Sequence, residues 1–329
     1  MRRLISSVHA CALACAVFVS TATAERALAQ FACGDVVGPG GSVTFTSDIG
    51  PCTAAAGSFA FRIIGPIKVD MAGHSVLCVD GNAPGFGIQL EGKGVKIKNG
   101  HVLNCAFANL VLGGEGKHIV EQMVAEESPD DGVRVSTGGN KLRRVAANNN
   151  DDVGIELTGS GNKLEDVAAV DNDIGVFLSG SQNKLKRVAV VDNVNGIFMQ
   201  GGGNALQENA FIDNSEDGVD VEGGGNTIQK STATANGSGI GTDSGIDLRG
   251  DGNVVKQNRV LDNFGIGIRA GAAQSNIIQK NSAIGNFGLM IGADLQDDNP
   301  GGTCDNNTWS KNVFGTSLAA GMAGPACIQ

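Results

Sequence analysis

The chain has 329 residues, with 34 acidic and 24 basic side chains and a formal net charge of −10. It contains 50 glycines and one tryptophan but no tyrosine, a composition that suits tight turns more than a core rich in aromatic side chains. An acidic protein is a poor candidate for binding nucleic acid or an anionic membrane. We therefore expect neither nucleic acid nor a membrane surface among its partners.

The N-terminus has the features of a secretory signal peptide. Two arginines follow the first methionine, residues 10–19 are apolar, and two small-x-small cleavage sites end at Ala24 and Ala29. We assign residues 1–29 to this peptide, with a lipoprotein anchor at Cys15 as the alternative. No later stretch has the roughly 20 apolar residues of a membrane helix. The protein is therefore predicted to be secreted or periplasmic.

Six cysteines remain after the predicted signal peptide, and an even number in an exported chain indicates disulfides. They are Cys33, Cys52, Cys78, Cys105, Cys304 and Cys327. Gly-His at 73–74 recurs at 100–101, and the same 27-residue offset separates Cys78 from Cys105. These two cysteines should occupy one position on consecutive turns, within disulfide reach. The remaining cysteines would then pair as Cys33–Cys52 and Cys304–Cys327, closing the two ends.

Two columns of asparagine reveal an internal repeat. The first is Asn140, Asn162, Asn183, Asn204, Asn226, Asn253 and Asn276, and the second is Asn150, Asn172, Asn193, Asn214, Asn236, Asn263 and Asn286. A repeat of about 20–30 residues that cannot bury its own apolar face is typical of a solenoid. We expect the asparagines at corners, because Asn tolerates left-handed backbone and its amide can bond to the next turn.

Each repeat contains two short segments of strand character. The first reads Gly-Ile-x-Leu, as at 154–157 and 175–178, and its alternation points two apolar residues inward. The second carries one aliphatic core position, occupied for example by Leu142, Leu164 and Leu185. Stacked repeats would form parallel sheets with aliphatic ladders inside. No amphipathic helix separates the strands, which excludes a βαβ fold.

Several motifs resemble one known family. They are Cys33-Gly34-Asp35 followed by Cys52, the segment Asp70–His74, and Asn99-Gly100-His101. Together with the repeat, they resemble exported bacterial members of the right-handed parallel β-helix repeat family, the pectate-lyase-like superfamily. The resemblance implies an all-β, right-handed parallel β-helix of about ten to eleven rungs.

The departures from the repeat set the predicted domains. After the signal peptide we expect an N-terminal cap at 30–66, the β-helix at 67–303 and a C-terminal cap at 304–329, with disulfides closing both end caps. We expect a monomer.

The family resemblance implies a carbohydrate partner. Its members include polysaccharide lyases and glycoside hydrolases, but the motifs of polygalacturonases, the Asp-Pro-His of alginate epimerases and the Trp-x-Asp-His of pectate lyases are absent here. The prediction is therefore an exported protein that binds, and in one version processes, a polysaccharide or surface glycan. The alternative is a non-catalytic structural or adhesive cell-surface protein. Whether the protein is an enzyme stays open, because a fold does not determine a function.

The variable position of Gly-Ile-x-Leu faces outward and defines a candidate groove. Phe177 and Phe198 occupy it on neighbouring rungs and would form an apolar platform for a sugar ring. Asp220 and Asp247 follow, with Glu222 two residues along the chain. Carboxyl groups on adjacent rungs can approach the about 5–5.5 Å of a retaining glycosidase pair. The same carboxylates could instead bind Ca²⁺.

These positions give the predicted site. The catalytic candidates are Asp220 and Asp247, and the substrate-binding candidates are Glu156, Phe177, Phe198, Glu222, Arg249 and Arg269. The insertion at 237–244 would form a wall of the same groove. No cofactor is predicted, apart from the Ca²⁺ alternative.

A second column, on another face, carries only positive charge. Lys141, Lys163 and Lys184 recur at the same repeat position. We interpret this column as a solvated face, with attraction of an anionic polymer as the alternative.

Overall fold

A computed structural model of the chain describes residues 26–53, 58–79, 83–238, 243–287, 292–298, 306–319, 322–323 and 328. Within these residues the regular structure is all β, and two sheets wind into a right-handed parallel solenoid of about twelve turns. The predicted fold class is confirmed. The predicted count of ten to eleven rungs was low, because strands before residue 67 and after residue 303 join the same sheets.

Sheet 1 has fourteen strands and carries the Gly-Ile-x-Leu segments. Its strands are β2 (Asp35–Val37), β5 (Phe59–Ile64), β8 (Phe86–Glu91), β10 (Ala108–Leu112), β12 (Asp131–Val135), β14 (Val153–Leu157), β17 (Ile174–Leu178), β20 (Asn195–Met199), β23 (Val219–Val221), β26 (Ser244–Leu248), β29 (Ile266–Ala270), β32 (Leu295–Asp297), β35 (Ser317–Ala319) and β36 (Met322–Ala323). In the described part of the chain, β35 and β36 are the one antiparallel pair.

Sheet 2 has twenty-two strands and forms the rest of the wall. Its strands are β1 (Arg26–Ala29), β3 (Ser42–Phe45), β4 (Ile49–Cys52), β6 (Lys68–Asp70), β7 (Ser75–Cys78), β9 (Lys96–Leu103), β11 (Ile119–Glu126), β13 (Lys141–Asn148), β15 (Lys163–Glu165), β16 (Ala168–Val170), β18 (Lys184–Lys186), β19 (Ala189–Val191), β21 (Ala205–Gln207), β22 (Ala210–Ile212), β24 (Thr227–Gln229), β25 (Thr232–Thr234), β27 (Val254–Lys256), β28 (Arg259–Leu261), β30 (Ile277–Gln279), β31 (Ser282–Ile284), β33 (Thr308–Ser310) and β34 (Val313–Phe314).

Each central turn contains three strands. Two belong to sheet 2 and meet at a bend, where the residue has left-handed backbone, as at Asp166 and Arg187. In β9, β11 and β13 the strand continues through the same bend, and Arg144 takes this conformation inside β13. The third strand belongs to sheet 1. Outward side chains on sheet 1 and on each half of sheet 2 therefore form separate columns along the solenoid axis.

Aliphatic ladders fill the interior as the alternation predicts. Ile155, Val176 and Ile197 stack in sheet 1, and Leu164 and Leu185 stack in sheet 2, each no more than 1% exposed. Burial of each such side chain contributes about 1.5–3 kcal/mol. The stack, and no single globular core, therefore supplies the stability of the fold.

The two asparagine columns lie buried at the corners. In each, a backbone N–H donates to the side-chain oxygen of the next turn, as from Asn162 to Asn183 at 2.8 Å and from Asn193 to Asn214 at 3.1 Å. The predicted bonds between turns are present. The left-handed residue, however, is the one just before the asparagine, for example Asp192.

A third polar column stands inside the bend of sheet 2 and was not predicted. Its members are Asn209, Ser231, Asn258, Asn281 and Asn312. Valine occupies the equivalent position in the earlier turns, as at Val188, so the column begins only halfway along the solenoid.

The glycine that opens each Gly-Ile-x-Leu segment is required by packing. A Cβ on Gly154 would lie 2.7 Å from the side-chain amide of Asn172 and 2.7 Å from the carbonyl oxygen of Gly175. The corner asparagine and the neighbouring strand therefore leave no room for a side chain at this position.

Two of the three predicted disulfides are present. Cys33–Cys52 has a Cα–Cα distance of 5.5 Å and Cys78–Cys105 one of 5.1 Å. The register behind the second prediction was wrong by one residue, because β7 and β9 align Ser75, and not His74, with His101. Cys304 and Cys327 lie outside the described residues.

The N-terminal segment is described from Arg26 onward, so most of the predicted signal peptide lies outside the described residues. Strand β1 falls within the predicted 1–29 and pairs with β3. Cleavage after Ala24 would keep this strand, whereas cleavage after Ala29 would remove it. In the described part of the chain, no helix has the length and hydrophobicity of a membrane-crossing segment.

Candidate functional site

The outward column of sheet 1 has the predicted register. From one turn to the next it runs Arg134, Glu156, Phe177, Phe198, Asp220, Asp247 and Arg269. Consecutive members are about 4.8 Å apart, so the column extends over about 29 Å. It is a central pair of aromatic side chains with acidic and then basic groups on both sides.

Phe177 and Phe198 form the centre of this column. Their ring centroids are 5.6 Å apart with a 36° angle between the planes, a distance within the favourable range for aromatic pairs. Both residues are half-buried, whereas the sequence had suggested exposed rings. Each ring packs against the other and still presents part of its surface to solvent. The pair is therefore an apolar patch with charged groups at either end.

Three carboxyl groups meet on the far side of the phenylalanines. Asp217, Asp220 and Asp247 each offer one oxygen within 4.8 Å of the others. Arg249 binds all three: its Nε lies 2.9 Å from Asp247 Oδ2, and its Nη1 lies 3.0 Å from Asp220 Oδ2. Its Nη2 is 3.6 Å from Asp217 Oδ2. We call these four residues the triad cluster.

The triad carboxyls are buried, which the sequence analysis did not anticipate. Asp247 occupies the outward column but is 0% exposed, and Asp220 is 7% exposed. Arg269 places Nη1 3.4 Å from Asp247 Oδ2, so two guanidinium groups contact that carboxyl. Among the described residues, the second oxygen of Asp220 and that of Asp247 have no hydrogen-bond partner. Arg249, whose side chain is 46% exposed, is the part of the cluster that meets solvent.

Burial changes the proton affinities of the triad. Burial and the carboxyl groups of Asp247 and Asp220 raise the pKa of Asp217 to about 8. Burial also raises the pKa of Asp220 to about 6, although Arg249 opposes the shift. The pKa of Asp247 is raised by burial too, against Arg269 and Arg249. At neutral pH the cluster therefore retains at least one proton, on Asp217.

A related cluster lies at the other end of the column. Arg134 bonds through Nε to Glu156 Oε2 at 2.7 Å and to the buried Asp131 Oδ2, also at 2.7 Å. Burial raises the pKa of Asp131 to about 7, although Arg134 opposes the shift. Asp131 precedes the segment glycine as Asp217 does; Asp131 is the first residue of β12, and Asp217 stands two residues before β23. The two clusters thus use the same position of the repeat.

Carboxylates come together in threes at two places, in the triad cluster and in the group Asp130, Asp131 and Asp152 beside Arg134, but arginine already takes the place of a metal ion at both. Ca²⁺ needs 6–8 oxygen ligands. In the triad cluster, Arg249 and Arg269 bond to the oxygens that a cation would use. The donor set therefore fits neutralisation by guanidinium better than a Ca²⁺ cage. In the second group, Asp130, Asp131 and Asp152, Arg134 contacts two of the three carboxylates.

Other predicted residues are placed around the triad cluster. Glu222 is exposed and accepts a hydrogen bond from Gln200 Nε2 at 3.0 Å. Arg269 also binds Asp298 Oδ2 at 2.6 Å, an ion pair that the sequence did not suggest. At the end of the 237–244 insertion, the Ser244 N–H donates to Asp217 Oδ1 at 2.5 Å. Residues 239–242 lie outside the described residues, so the predicted wall stays a prediction.

Sequence reasoning missed Asp217 and Asp131. The signal that could have found them is an aspartate immediately before the glycine of Gly-Val-x-Val, which occurs at Asp131-Gly132 and again at Asp217-Gly218. Strand alternation does not direct these side chains outward, because each aspartate stands two residues before an inward valine, Val133 or Val219.

A comparison with known protein families identifies the family of this chain. The family described as right handed beta helix region matches residues 86–204 and 174–325. The chain therefore belongs to the right-handed β-helix family. No curated protein matches the sequence.

Solved structures with the same fold include two epimerases and a tailspike protein. The A-module of mannuronan C-5 epimerase AlgE4 from Azotobacter vinelandii is 14% identical, with a TM-score of 0.59 over 90% of this chain and 91% of that one. A variant of the periplasmic alginate epimerase AlgG is 12% identical, with a TM-score of 0.62 over 86% and 76%. The Dettilon tailspike protein is 15% identical, with a TM-score of 0.58 over 78% and 59%. At these identities the similarity shows the fold alone.

Proposed function

We propose that this exported protein binds a polysaccharide along the outward face of sheet 1. The observation that carries the proposal is the in-register pair Phe177 and Phe198, half-buried and 5.6 Å apart, between two arginine–carboxylate clusters. Ligand sites combine an apolar or aromatic surface with a few fixed polar groups, and this column has both. The named activities of the epimerase neighbours support a glycan as the ligand class.

The polar groups at the two ends would fix the orientation of the chain. Arg249 and Glu222 flank the phenylalanines on one side, and Arg134 and Glu156 flank them on the other. Each carries hydrogen-bonding groups in or beside the column, where sugar hydroxyls would lie. Ion pairing holds Arg134 and Arg249 in place, so these donors are pre-organised before a ligand binds.

Binding is tested with the double variant Phe177→Ala, Phe198→Ala. We expect loss of binding on a glycan array with little change in melting temperature, because neither ring is part of the interior ladder. The matched control is Phe264→Ala with Phe287→Ala, an exposed ring pair 6.1 Å apart elsewhere on the solenoid. Retention of all glycan binding by the first variant would refute the proposal. A large fall in its melting temperature would mean that the two rings stabilise the fold and do not form a ligand surface.

Processing of the glycan is a second candidate function, favoured by the proton held on Asp217. A general acid must be protonated near the working pH, and Asp217 has a pKa of about 8. Asp220 and Asp247 lie beside it as further acid–base groups. All three are covered by Arg249, so a substrate would have to displace that guanidinium first.

Substitution of the acids separates the two functions. In an enzyme, Asp217→Asn, Asp220→Asn or Asp247→Asn should remove lyase, hydrolase or epimerase turnover while binding survives. A protein that binds every tested glycan without turnover is the adhesive or structural alternative. Parallel assays with Ca²⁺ and with a chelator test the Ca²⁺ hypothesis, and we expect binding to be the same in both.

A further inference from the structure

The strands of sheet 2 extend the lysine column well beyond the repeats in which the sequence showed it. Strand pairing places Lys68 beside Lys96, then Ile119, and then Lys141, Lys163 and Lys184. Five lysines thus occupy six consecutive positions of one outward column, which we call the lysine ladder. At about 4.8 Å a step it extends over about 24 Å.

The ladder has no counter-charge of its own. No described carboxylate lies within ion-pair distance of any of its five lysines. The acids of the neighbouring outward column are engaged elsewhere: Asp70 binds Lys98 at 2.9 Å, and Glu121 binds Arg143 at 3.5 Å. Glu165 binds Arg187 at 2.7 Å. The ladder is therefore a row of unpaired positive charge on a protein whose net charge is −10.

The surroundings of the ladder leave it open to a ligand. Four of its lysines are exposed, and Lys141 is half-buried. The repeat position two residues before the ladder is mostly uncharged, as at Gly139 and Gly161. At this position Lys117 adds a further exposed positive charge. At the N-terminal end, a cleft of about 310 Å³ runs between the two outward columns. Its charged lining residues are Lys68, Asp70, Lys96, Lys98 and Glu121.

Such a column does not stabilise the fold. Like charges directly opposite each other on neighbouring strands are destabilising. A single file of cations along a rigid axis instead matches a linear polymer with repeated negative charges, because each further contact releases counterions. A linear chain fits the row better than a flat lipid surface does, since the ladder is one residue wide.

We propose that the lysine ladder on sheet 2 binds a linear anionic polysaccharide, one that carries carboxylate or sulfate groups. This surface lies on a different sheet from the phenylalanine column, so the inference does not depend on the function proposed for sheet 1. The protein would then hold two glycan segments on two faces of one solenoid.

The test measures the affinity of the protein for alginate, heparin and neutral dextran at about 50 and about 200 mM NaCl. We expect binding of alginate or heparin but not dextran. The triple variant Lys96→Gln, Lys141→Gln, Lys163→Gln should weaken binding at least about tenfold at the lower salt and flatten the salt dependence. The matched control is Lys230→Gln, Lys256→Gln, Lys280→Gln, which removes the same charge outside the ladder. It should change affinity less than about twofold. Circular dichroism verifies that both variants fold.

Several outcomes would overturn the inference. One is equal weakening by the two triple variants, which would mean diffuse attraction. Another is that wild-type protein binds neither alginate nor heparin. Binding to phosphatidylglycerol vesicles without binding to either polymer would count as the same failure. A third is loss of heparin and alginate binding in the Phe177→Ala, Phe198→Ala variant with no effect of the ladder triple. That result would place the polyanion on sheet 1 and leave the function proposed there intact.

Discussion

The proton held on Asp217 makes the stability of the protein depend on pH. The folded pKa of this carboxyl is about 8, against an ordinary value of 3.8, so the folded state binds the proton more tightly than the unfolded state. The stabilisation is complete below about pH 4 and is lost as pH rises towards 8. Wild-type protein should therefore unfold more easily at about pH 8.5 than at about pH 5.

The variant Asp217→Asn removes this titration with little change in shape. Its amide oxygen can still accept the Ser244 N–H bond. A pKa raised from 3.8 to about 8 corresponds to an upper limit of about 4 kcal/mol between pH 5 and pH 8.5, because part of the linked stabilisation is already lost below pH 5. Asp220 and Asp247 also bind protons more tightly in the folded state, so Asp217→Asn will remove only part of the pH-dependent stabilisation. We expect the difference in unfolding free energy between the two pH values to shrink by at least about 2 kcal/mol.

Urea denaturation at both pH values measures the effect, followed by circular dichroism and by fluorescence of Trp309, the one tryptophan of the chain, which is 3% exposed. The control Asp213→Asn makes the same chemical change at an exposed corner and should leave the pH dependence as in wild type. If Asp217→Asn and wild type lose stability in parallel between the two pH values, Asp217 ionises normally and the assignment of the proton is wrong.

Three further predictions concern the fold. Leu185→Asn should lower the unfolding free energy by more than about 3 kcal/mol, because it puts an unpaired amide into a fully buried ladder. The adjacent exposed Lys184→Asn should lower it by less than about 0.5 kcal/mol, and equal losses in urea denaturation would mean that the faces of β18 are reversed. Cys78→Ser with Cys105→Ser opens a cross-link between residues 27 apart and should cost about 3.5 kcal/mol by loop-closure entropy. Urea midpoints of the oxidised wild type and the double variant check this, and identical midpoints would contradict it. Mass spectrometry of the mature N-terminus should show cleavage after Ala24, and an N-terminus at Gln30 would exclude β1 from the exported protein.

The spacing of the repeats was enough to predict the fold and the residues of the outward column on sheet 1. A repeat in a parallel solenoid fixes which residues stack, so the order from Arg134 through Phe177 and Phe198 to Arg269 could be predicted from spacing alone. The same logic found the Cys78–Cys105 disulfide, although the strands there are offset by 26 residues and not 27.

The burial and the charge environment of those positions could not be predicted from spacing and depend on the packing of side chains in three dimensions. Spacing identifies neighbours along a column, but burial depends on how long side chains fold back from adjacent columns. Arg249 and Arg269 therefore bury Asp247, and Asp217 joins the cluster from a position that alternation assigns to the inward face. In the early turns Lys68 and Lys96 likewise escaped the sequence periodicity, because they are 28 residues apart and Ile119 interrupts the run of lysines before Lys141. The register of the strands restores them to the ladder, since hydrogen bonding between turns, and not residue count, sets the alignment of a β-solenoid.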